Sequence, residues 1–137
     1  MKDKPFALRV REKYGDSVEE FALRMGVHPV TVSAWEEGVT PQSQVLALLS
    51  YANEYDMPIK VEVGVEFQLM DVAQLIKYLM STFEDTESGL AVRLGMSKAQ
   101  VVRITRRTSV NKSTRRLLLE AVAHPERFMK YPKAFSK

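Results

Sequence analysis

Over most of this chain, hydrophobic residues recur every three or four positions, the spacing that places them on one face of an α-helix. The first such face consists of Phe6, Ala7, Val10 and Tyr14. Capping boxes, in which two polar side chains three residues apart satisfy each other's backbone donors, predict further helix starts. Pairs of this kind are Ser17 with Glu20, Asp71 with Gln74, and Ser97 with Gln100. The pattern therefore predicts a mostly α-helical fold.

The segment 57–70 breaks this helical period. Apolar residues at 61, 63, 65, 67 and 69 alternate with polar residues or glycine, which is typical of a half-buried β-strand. Because no second strand is apparent nearby, we predict antiparallel pairing with the same segment of another chain across a two-fold axis. The residues assigned to this dimer contact are Val61, Val63, Val65 and Phe67. Pairing with residues 6–10 of the same chain is the alternative.

Two stretches of the chain are similar: RMGVHPVTVSAWEEG begins at Arg24, and RLGMSKAQVVRITRR begins at Arg93. Identical residues in the extended alignment are Ala22 and Ala91, Arg24 and Arg93, Gly26 and Gly95, and Val32 and Val101. The separation between Arg24 and Arg93 is about half the length of the chain, so the repeat predicts two small units that share a boundary. We place the units at 1–56 and 71–123, with the strand segment 57–70 between them. A basic and aromatic tail, 124–137, either docks or stays mobile.

Each repeated stretch has the pattern of a short helix, a glycine-centred corner and a second helix. Gly26 suits the left-handed backbone conformation of such a corner. His28 at the N-cap and Pro29 at the first helical position then predict the start of the second helix. The inward positions are small or apolar, and we expect them to be core residues. They are Ala22, Val32, Trp35, Ala91, Val101 and Ile104.

The composition narrows the class of protein. With 45% hydrophobic and 27% charged residues, the chain is typical of soluble globular proteins. It contains no apolar run of membrane-spanning length and no secretory signal pattern, so we expect a cytoplasmic protein without a membrane partner. It also has no cysteine, which excludes disulfides, thiolate zinc sites and cysteine nucleophiles.

Charge is divided unevenly along the chain. Residues 1–84 hold 8 Lys and Arg against 13 Asp and Glu, whereas residues 85–137 hold 12 against 4. The two parts carry −5 and +8, which sum to the net charge of +3. A basic half of this kind favours a polyanionic partner such as DNA. A merely solvated basic surface is the alternative.

The first stretch resembles the Cro and phage-repressor group of helix-turn-helix proteins, the Xre-like family. The matching residues are Ala22, Gly26, Val27, Val32, Ser33, Trp35, Glu36, Gly38 and Pro41. The resemblance is close over residues 5–55 and looser over 71–123, where residues 104–107 replace the Trp-Glu-x-Gly ending. It implies two tandem lambda-repressor-like helical units, in each of which the second helix of the pair fits the major groove of DNA.

The resemblance also implies which residues reach base edges: those at the first, second and sixth positions of the second helix. In the C-terminal unit these are Lys98, Ala99 and Arg103, with Ser97 and Gln100 beside them. Phosphate contacts are assigned to Arg106, Arg107, Asn111, Lys112, Arg115 and Arg116. The candidates in the N-terminal unit are His28, Pro29, Val30, Thr31, Ser33, Ala34 and Thr40. Arginine and lysine pair with guanine, whereas valine and alanine offer only apolar contact, so the C-terminal unit is the predicted base reader.

The remaining residues do not suggest catalysis. The two histidines are isolated, the adjacent glutamate pairs diverge along their helices, and no phosphate loop or activated nucleophile is present. We therefore expect no enzyme, metal or cofactor. The sequence predicts a sequence-specific, double-stranded DNA-binding transcriptional regulator, a homodimeric repressor of a phage-like or mobile-element operon acting at an inverted-repeat operator. Two alternatives stay open: an antitoxin that represses its own operon, and an adaptor whose N-terminal unit binds a second protein.

Overall fold

A computed structural model describes residues 4–106 and 112–129. Helices account for most of these residues, and no strand occurs among them. In chain order the helices are α1 Phe6–Tyr14, α2 Val18–Met25, α3 Pro29–Glu36, α4 Ser43–Glu54, α5 Val65–Leu69, α6 Val72–Phe83, α7 Glu87–Leu94, α8 Lys98–Thr105 and α9 Lys112–Ala123. A 3-10 turn, Pro125–Phe128, follows α9. The predicted mostly α-helical fold is confirmed.

The helix starts follow the capping patterns of the sequence. All three predicted capping boxes are present, with both the side-chain and the backbone hydrogen bond formed in each. His28 is the N-cap residue of α3 and Pro29 its first residue, as predicted. Because each box satisfies two backbone donors that a helix start otherwise leaves unpaired, local sequence determines where α2, α6 and α8 begin.

The β-strand predicted at 57–70 is wrong. Residues 65–69 form the short helix α5, with Gly64 as its N-cap residue, and residues 57–64 have no regular secondary structure. Val61, Val63 and Phe67 pack against the chain's own core, and the Phe67 ring meets the Tyr78 ring edge-on at 4.9 Å between centroids. Val61, Val63 and Phe67 are thus covered within the chain, whereas Val65 is 68% and Leu69 is 80% exposed.

Two arginines of α9 bind the backbone of this segment. Arg115 donates from Nη1 to the Met70 carbonyl oxygen at 2.7 Å and from Nη2 to the Gln68 carbonyl oxygen. The Arg116 guanidinium donates to the carbonyl oxygens of residues 58 and 59. These side chains satisfy carbonyl groups that a strand partner would otherwise have bound. The argument for pairing between chains through Val61, Val63, Val65 and Phe67 therefore no longer holds.

The helices of the two halves repeat at a fixed offset. Helices α7, α8 and α9 begin and end at the positions equivalent to those of α2, α3 and α4, when the chain is shifted by the separation between Arg24 and Arg93. With the same shift, the last residue of α6 corresponds to the last residue of α1. Each of these helices packs against its neighbours within its own half and contributes to one core. The similarity seen in the sequence thus extends to four helices.

A buried ion pair recurs at the same offset. Arg24 donates from Nε and Nη2 to the two carboxylate oxygens of Asp16, at 2.8 and 3.0 Å. In the second half Arg93 binds Asp85 in the same way, at 2.7 and 3.1 Å. Two parallel charge-assisted bonds fix both the distance and the orientation of the partners. Each pair therefore holds the first helix of its helix-turn-helix pair to the residue that precedes the N-cap of that helix.

Further contacts of these arginines repeat as well. The guanidinium carbon of Arg24 lies 4.2 Å from the Tyr14 ring centroid, and that of Arg93 lies 4.4 Å from the ring centroid of Phe83. Both arginines also donate from Nη1 to a carbonyl oxygen in the segment after the fourth helix, Met57 in the first half and residue 128 in the second. The two halves thus share a common arrangement at side-chain level.

The halves meet through α4 and α9. Tyr51 donates its hydroxyl hydrogen bond to Glu120 Oε1 at 2.6 Å, and Arg116 Nε donates to Glu120 Oε2 at 3.0 Å. Arg127 Nη1 also binds the Tyr51 hydroxyl, at 2.8 Å. Apolar residues of both helices surround this network, including Leu48, Leu49, Leu117 and Leu118. Because Glu120 is fully buried, its two partners are needed to offset the loss of hydration.

The first part of the tail docks on the core. Phe128 is buried and stacks on the Tyr51 ring, with centroids 5.1 Å apart. Residues 130–137 lie outside the described residues. Of the two alternatives for the tail, docking is therefore the one observed for residues 124–129.

Candidate nucleic-acid interface

The corner between α2 and α3 has the geometry that the sequence predicts. Gly26 adopts φ 70°, and Gly95, at the corner between α7 and α8, adopts φ 78°. A left-handed residue ends the first helix and lets the next amide bind back, here Val27 N to the Ala22 carbonyl oxygen at 3.0 Å. Both corners direct the second helix away from the axis of the first.

The inward faces of α3 and α8 are core, as predicted. Val32 and Trp35 are buried in the first half, and Val101 and Ile104 are buried at the equivalent positions in the second. Burial of every third residue anchors one face of each helix. The opposite face is thereby fixed in an outward orientation.

The outward face of α8 is basic. Lys98, Ala99 and Arg103 are exposed, and together with Val102 and Arg106 they line a surface depression. These include all three residues predicted to reach base edges. Arg and Lys donors on an exposed helix face match the acceptor pattern that guanine presents in the major groove. Their role as base readers stays a prediction.

Ser97 and Gln100 have structural contacts at the start of α8. They form the capping box, with Gln100 Oε1 accepting from the Ser97 amide at 2.9 Å and Ser97 Oγ accepting from the Gln100 amide at 3.1 Å. Gln100 Nε2 also donates to Gln44 Oε1 at 3.1 Å and to Ser43 Oγ, both on α4. The side-chain amide of Gln100 is therefore already hydrogen-bonded within the chain.

The residues assigned to phosphates divide into three groups. Arg106 and Lys112 are exposed. Arg107 and Asn111 lie outside the described residues. Arg115 and Arg116 hold the backbone of the connecting segment, and Arg116 is buried beside Glu120. Burial lowers the pKa of Arg116 from its ordinary value, while the Glu120 carboxylate acts in the opposite direction. This placement favours a structural role for Arg116 over a phosphate contact.

The outward face of α3, a helix that the structure describes in full, carries no basic residue. Val30 is 73% exposed, and the other candidates are exposed (His28, Ser33, Thr40) or half-buried (Pro29, Thr31, Ala34). At the end of α3 Glu36 accepts from Arg11 Nε at 2.6 Å and from Nη2 at 2.9 Å. This hydrogen bond raises the pKa of Arg11 from its ordinary value. The Glu36 carboxylate is thus paired with α1.

Neither a metal site nor a membrane span is evident in the part of the chain that the structure describes. In residues 4–106 and 112–129 no group of three or more His, Asp or Glu side chains is arranged to hold a metal ion. None of the described helices is long and apolar enough to cross a lipid bilayer.

The sequence did not predict the contacts of several buried polar residues. The ion pairs of Asp16 with Arg24 and Asp85 with Arg93 were not predicted, although an acidic residue eight positions before each repeated arginine was a visible signal. Glu120 lies in a helix of amphipathic pattern, and nothing in its neighbourhood indicates full burial. Its partner Tyr51 lies in the other half of the chain, and only the repeat relates the two positions.

A helix-turn-helix family model matches residues 8–53, which extend from α1 to α4. The match covers the first unit and does not include the second, so the tandem copy rests on the structural repeat and not on this comparison. No curated protein and no solved structure matches the chain. The N-terminal unit is therefore similar to DNA-binding domains of transcriptional regulators.

Proposed function

We propose that this protein is a sequence-specific, double-stranded DNA-binding transcriptional regulator in which α8 reads bases. The observation that carries the proposal is the exposed face of α8, where Lys98 and Arg103 point outward while Val101 and Ile104 are buried. The family match to the first unit supports the class of function. The equivalent position of α8 in the second unit supports its use as a recognition helix.

The two second helices differ in what they offer to DNA. Lys98 and Arg103 donate hydrogen bonds of the kind that guanine accepts, whereas Val30 in α3 offers contact to thymine methyl groups. Arg106 and Lys112 are exposed cations beside α8 that suit phosphate contacts. The charge of +8 over residues 85–137 favours the same assignment.

The simplest mechanism for such a regulator is occupation of a promoter, which makes it a repressor. Its resemblance to phage repressors and its small size favour control of a phage-like or mobile-element operon. Because the described residues 57–70 form no strand, we do not propose a dimer held together by this segment.

The test compares two arginines that the proposal assigns to different contacts. A binding site is first selected from a random pool of double-stranded DNA, and affinity is then measured for that site and for a scrambled duplex. Arg103→Ala should cost about 1–3 kcal/mol on the selected site and relax the preference at one base pair. Arg106→Ala should weaken both duplexes alike and lower the slope of log K against log salt by about one.

Lys77→Ala is the matched control, because Lys77 is an exposed cation on α6 and its loss changes the net charge equally. It should leave the preference for the selected site unchanged. If the wild-type protein binds selected and scrambled duplexes equally well, the proposed function is wrong. If Arg103→Ala and Lys77→Ala behave alike, α8 is not the base reader.

A further inference from the structure

We infer that one copy of this chain is built like a two-fold dimer and binds a DNA site with two different half-sites, one for α3 and one for α8. The inference rests on the proposed function and adds to it the stoichiometry and the form of the site. It follows from how the two halves of the chain contact each other.

The contact between α4 and α9 joins equivalent positions. These helices correspond to each other in the repeat, and so do Tyr51 and Glu120, which form a hydrogen bond of 2.6 Å between them. In an arrangement with two-fold symmetry, a residue that touches its own equivalent lies next to the axis. The Tyr51–Glu120 contact therefore marks an approximate two-fold axis inside the chain.

The outer contacts are reciprocal between helices, as this symmetry requires. The glycine at the corner of the first unit, Gly26, lies against Lys112, the first residue of α9. The glycine of the second unit, Gly95, lies against Ala47 in α4, at 3.6 Å from an added Cβ. Gln100 of α8 also binds Ser43, which is the first residue of α4 and the equivalent of Lys112. Each corner thus packs against the beginning of the other unit's fourth helix.

A further pair of contacts is reciprocal between elements: in each, the fourth helix of one unit meets the segment that follows the fourth helix of the other unit. Tyr51 of α4 stacks on Phe128, which follows the fourth helix of the second unit. In return Arg116 of α9 binds the carbonyl oxygen of Ile59, the equivalent of Phe128 in the first unit. Since the central side chains of this interface, Tyr51, Arg116 and Glu120, are buried and hydrogen-bonded to one another, the relative orientation of the halves is fixed by packing and by a satisfied polar network.

Helix-turn-helix dimers use a two-fold axis to place equal recognition helices on equal half-sites. Here the equivalent helices α3 and α8 lie in one chain, and their outward residues are unlike. Pro29, Val30 and Ala34 of α3 correspond to Lys98, Ala99 and Arg103 of α8. The site should accordingly consist of a guanine-containing half read by α8 and a thymine-containing half approached by α3, with centres about 10 base pairs apart.

The first experiment determines the form of the site and the number of chains on it. DNA is selected from a random double-stranded pool, and the mass of the complex on the selected duplex is measured by sedimentation. We expect one chain per duplex and two dissimilar half-sites. Two chains on a symmetric inverted repeat would overturn the inference while leaving the proposed function intact. Absence of any sequence preference would overturn both.

The second experiment tests whether α3 contacts DNA. Val30→Glu places a negative charge on the outward face of α3, where Val30 is 73% exposed, so the fold should be retained. Repulsion from phosphates should reduce affinity for the selected site at least 30-fold, an effect of about 2 kcal/mol. On a duplex in which only the α8 half is kept, the loss should be less than about threefold.

The matched control is Leu69→Glu, which adds the same charge at a residue of α5 that is 80% exposed and lies outside both helix-turn-helix pairs. It should change affinity less than about threefold on either duplex. If Val30→Glu and Leu69→Glu have equal effects while Arg103→Ala still relaxes the preference at one base pair, α3 lies away from DNA and the inference is wrong.

Discussion

Substituting Gly26 by alanine tests the packing of α9 against the corner of the first unit. An alanine Cβ at this position would lie 2.9 Å from Lys112 Cβ and 3.0 Å from its carbonyl carbon, so the backbone of α9 would have to shift. The residue also has φ 70°, a conformation that costs an L-residue roughly 1–2 kcal/mol. Overpacking adds about 1–3 kcal/mol. Gly26→Ala should therefore lower the free energy of unfolding by about 2–5 kcal/mol.

Two other glycines separate these contributions. Gly15 has φ 65°, but an added Cβ there meets nothing within 4 Å. Gly95 has φ 78°, and its nearest neighbour lies at 3.6 Å, an ordinary contact distance. Gly15→Ala and Gly95→Ala should each show only the backbone cost of roughly 1–2 kcal/mol. The additional loss of unfolding free energy in Gly26→Ala, compared with these two variants, then measures how closely α9 approaches the Gly26 corner.

Urea unfolding followed by circular dichroism is a suitable assay, because it gives the free energy of unfolding of all three variants under the same conditions. With a slope of about 2 kcal/mol per molar urea, an excess of about 2 kcal/mol lowers the midpoint by about 1 M. Equal losses at Gly15, Gly26 and Gly95 would show that α9 does not press on the Gly26 corner, and the packing of the two halves described above would be wrong.

Three further predictions concern buried polar groups. Glu120→Gln should lower the free energy of unfolding by about 3–5 kcal/mol, because it leaves the buried Arg116 without its carboxylate partner. The control is Glu12→Gln in the exposed pair with residue 4, which should lower it by less than about 1 kcal/mol. Similar losses for the two variants in urea unfolding would contradict this prediction. Burial, and then the Glu120 carboxylate, raise the pKa of Tyr51 above its ordinary value, so the folded state holds this proton more tightly. The stabilisation from this group should therefore be full below about pH 10 and should fall as pH rises above it. Tyr51→Phe should reduce that fall. If the slope of unfolding free energy against pH is the same in the variant, the burial of the Tyr51 hydroxyl is contradicted. Arg24→Gln and Arg93→Gln should each cost about 3–5 kcal/mol and agree within about 1 kcal/mol, and a larger difference would argue against equivalent ion pairs.

The sequence was sufficient for those parts of the fold that depend on local interactions. Capping boxes and the Gly26 corner involve residues three to five positions apart, so their patterns are readable in one stretch of chain. The inward positions of α3, such as Val32 and Trp35, follow from helical period alone. The outward position of Val30 follows from the same period.

The strand prediction failed because alternation over a short segment does not specify its neighbours. Val61, Val63 and Phe67 are apolar at every second position, yet they reach the core from irregular backbone and one short helix. Several of the donors that bind this backbone belong to Arg115 and Arg116, which lie far away in the sequence. No period within the segment reports such a distant partner.

The candidate interface was predictable only in part for a related reason. A run of basic residues indicates a basic surface, but it does not distinguish exposed Arg106 from buried Arg116. That difference depends on Glu120 and on the carbonyl groups that α9 approaches. Similarly, the sequence placed Gln100 beside the predicted base readers, whereas its side-chain amide binds Gln44 of α4.

The contact between α4 and α9 also affects how the protein responds to its own abundance. A homodimer assembles in proportion to the square of its subunit concentration, and dilution separates it. Here the two halves are linked by a single polypeptide, so each meets the other at a fixed effective concentration that dilution leaves unchanged. Occupancy of a DNA site by such a chain should rise with the first power of its copy number, giving a graded response even in a cell that holds only a few molecules.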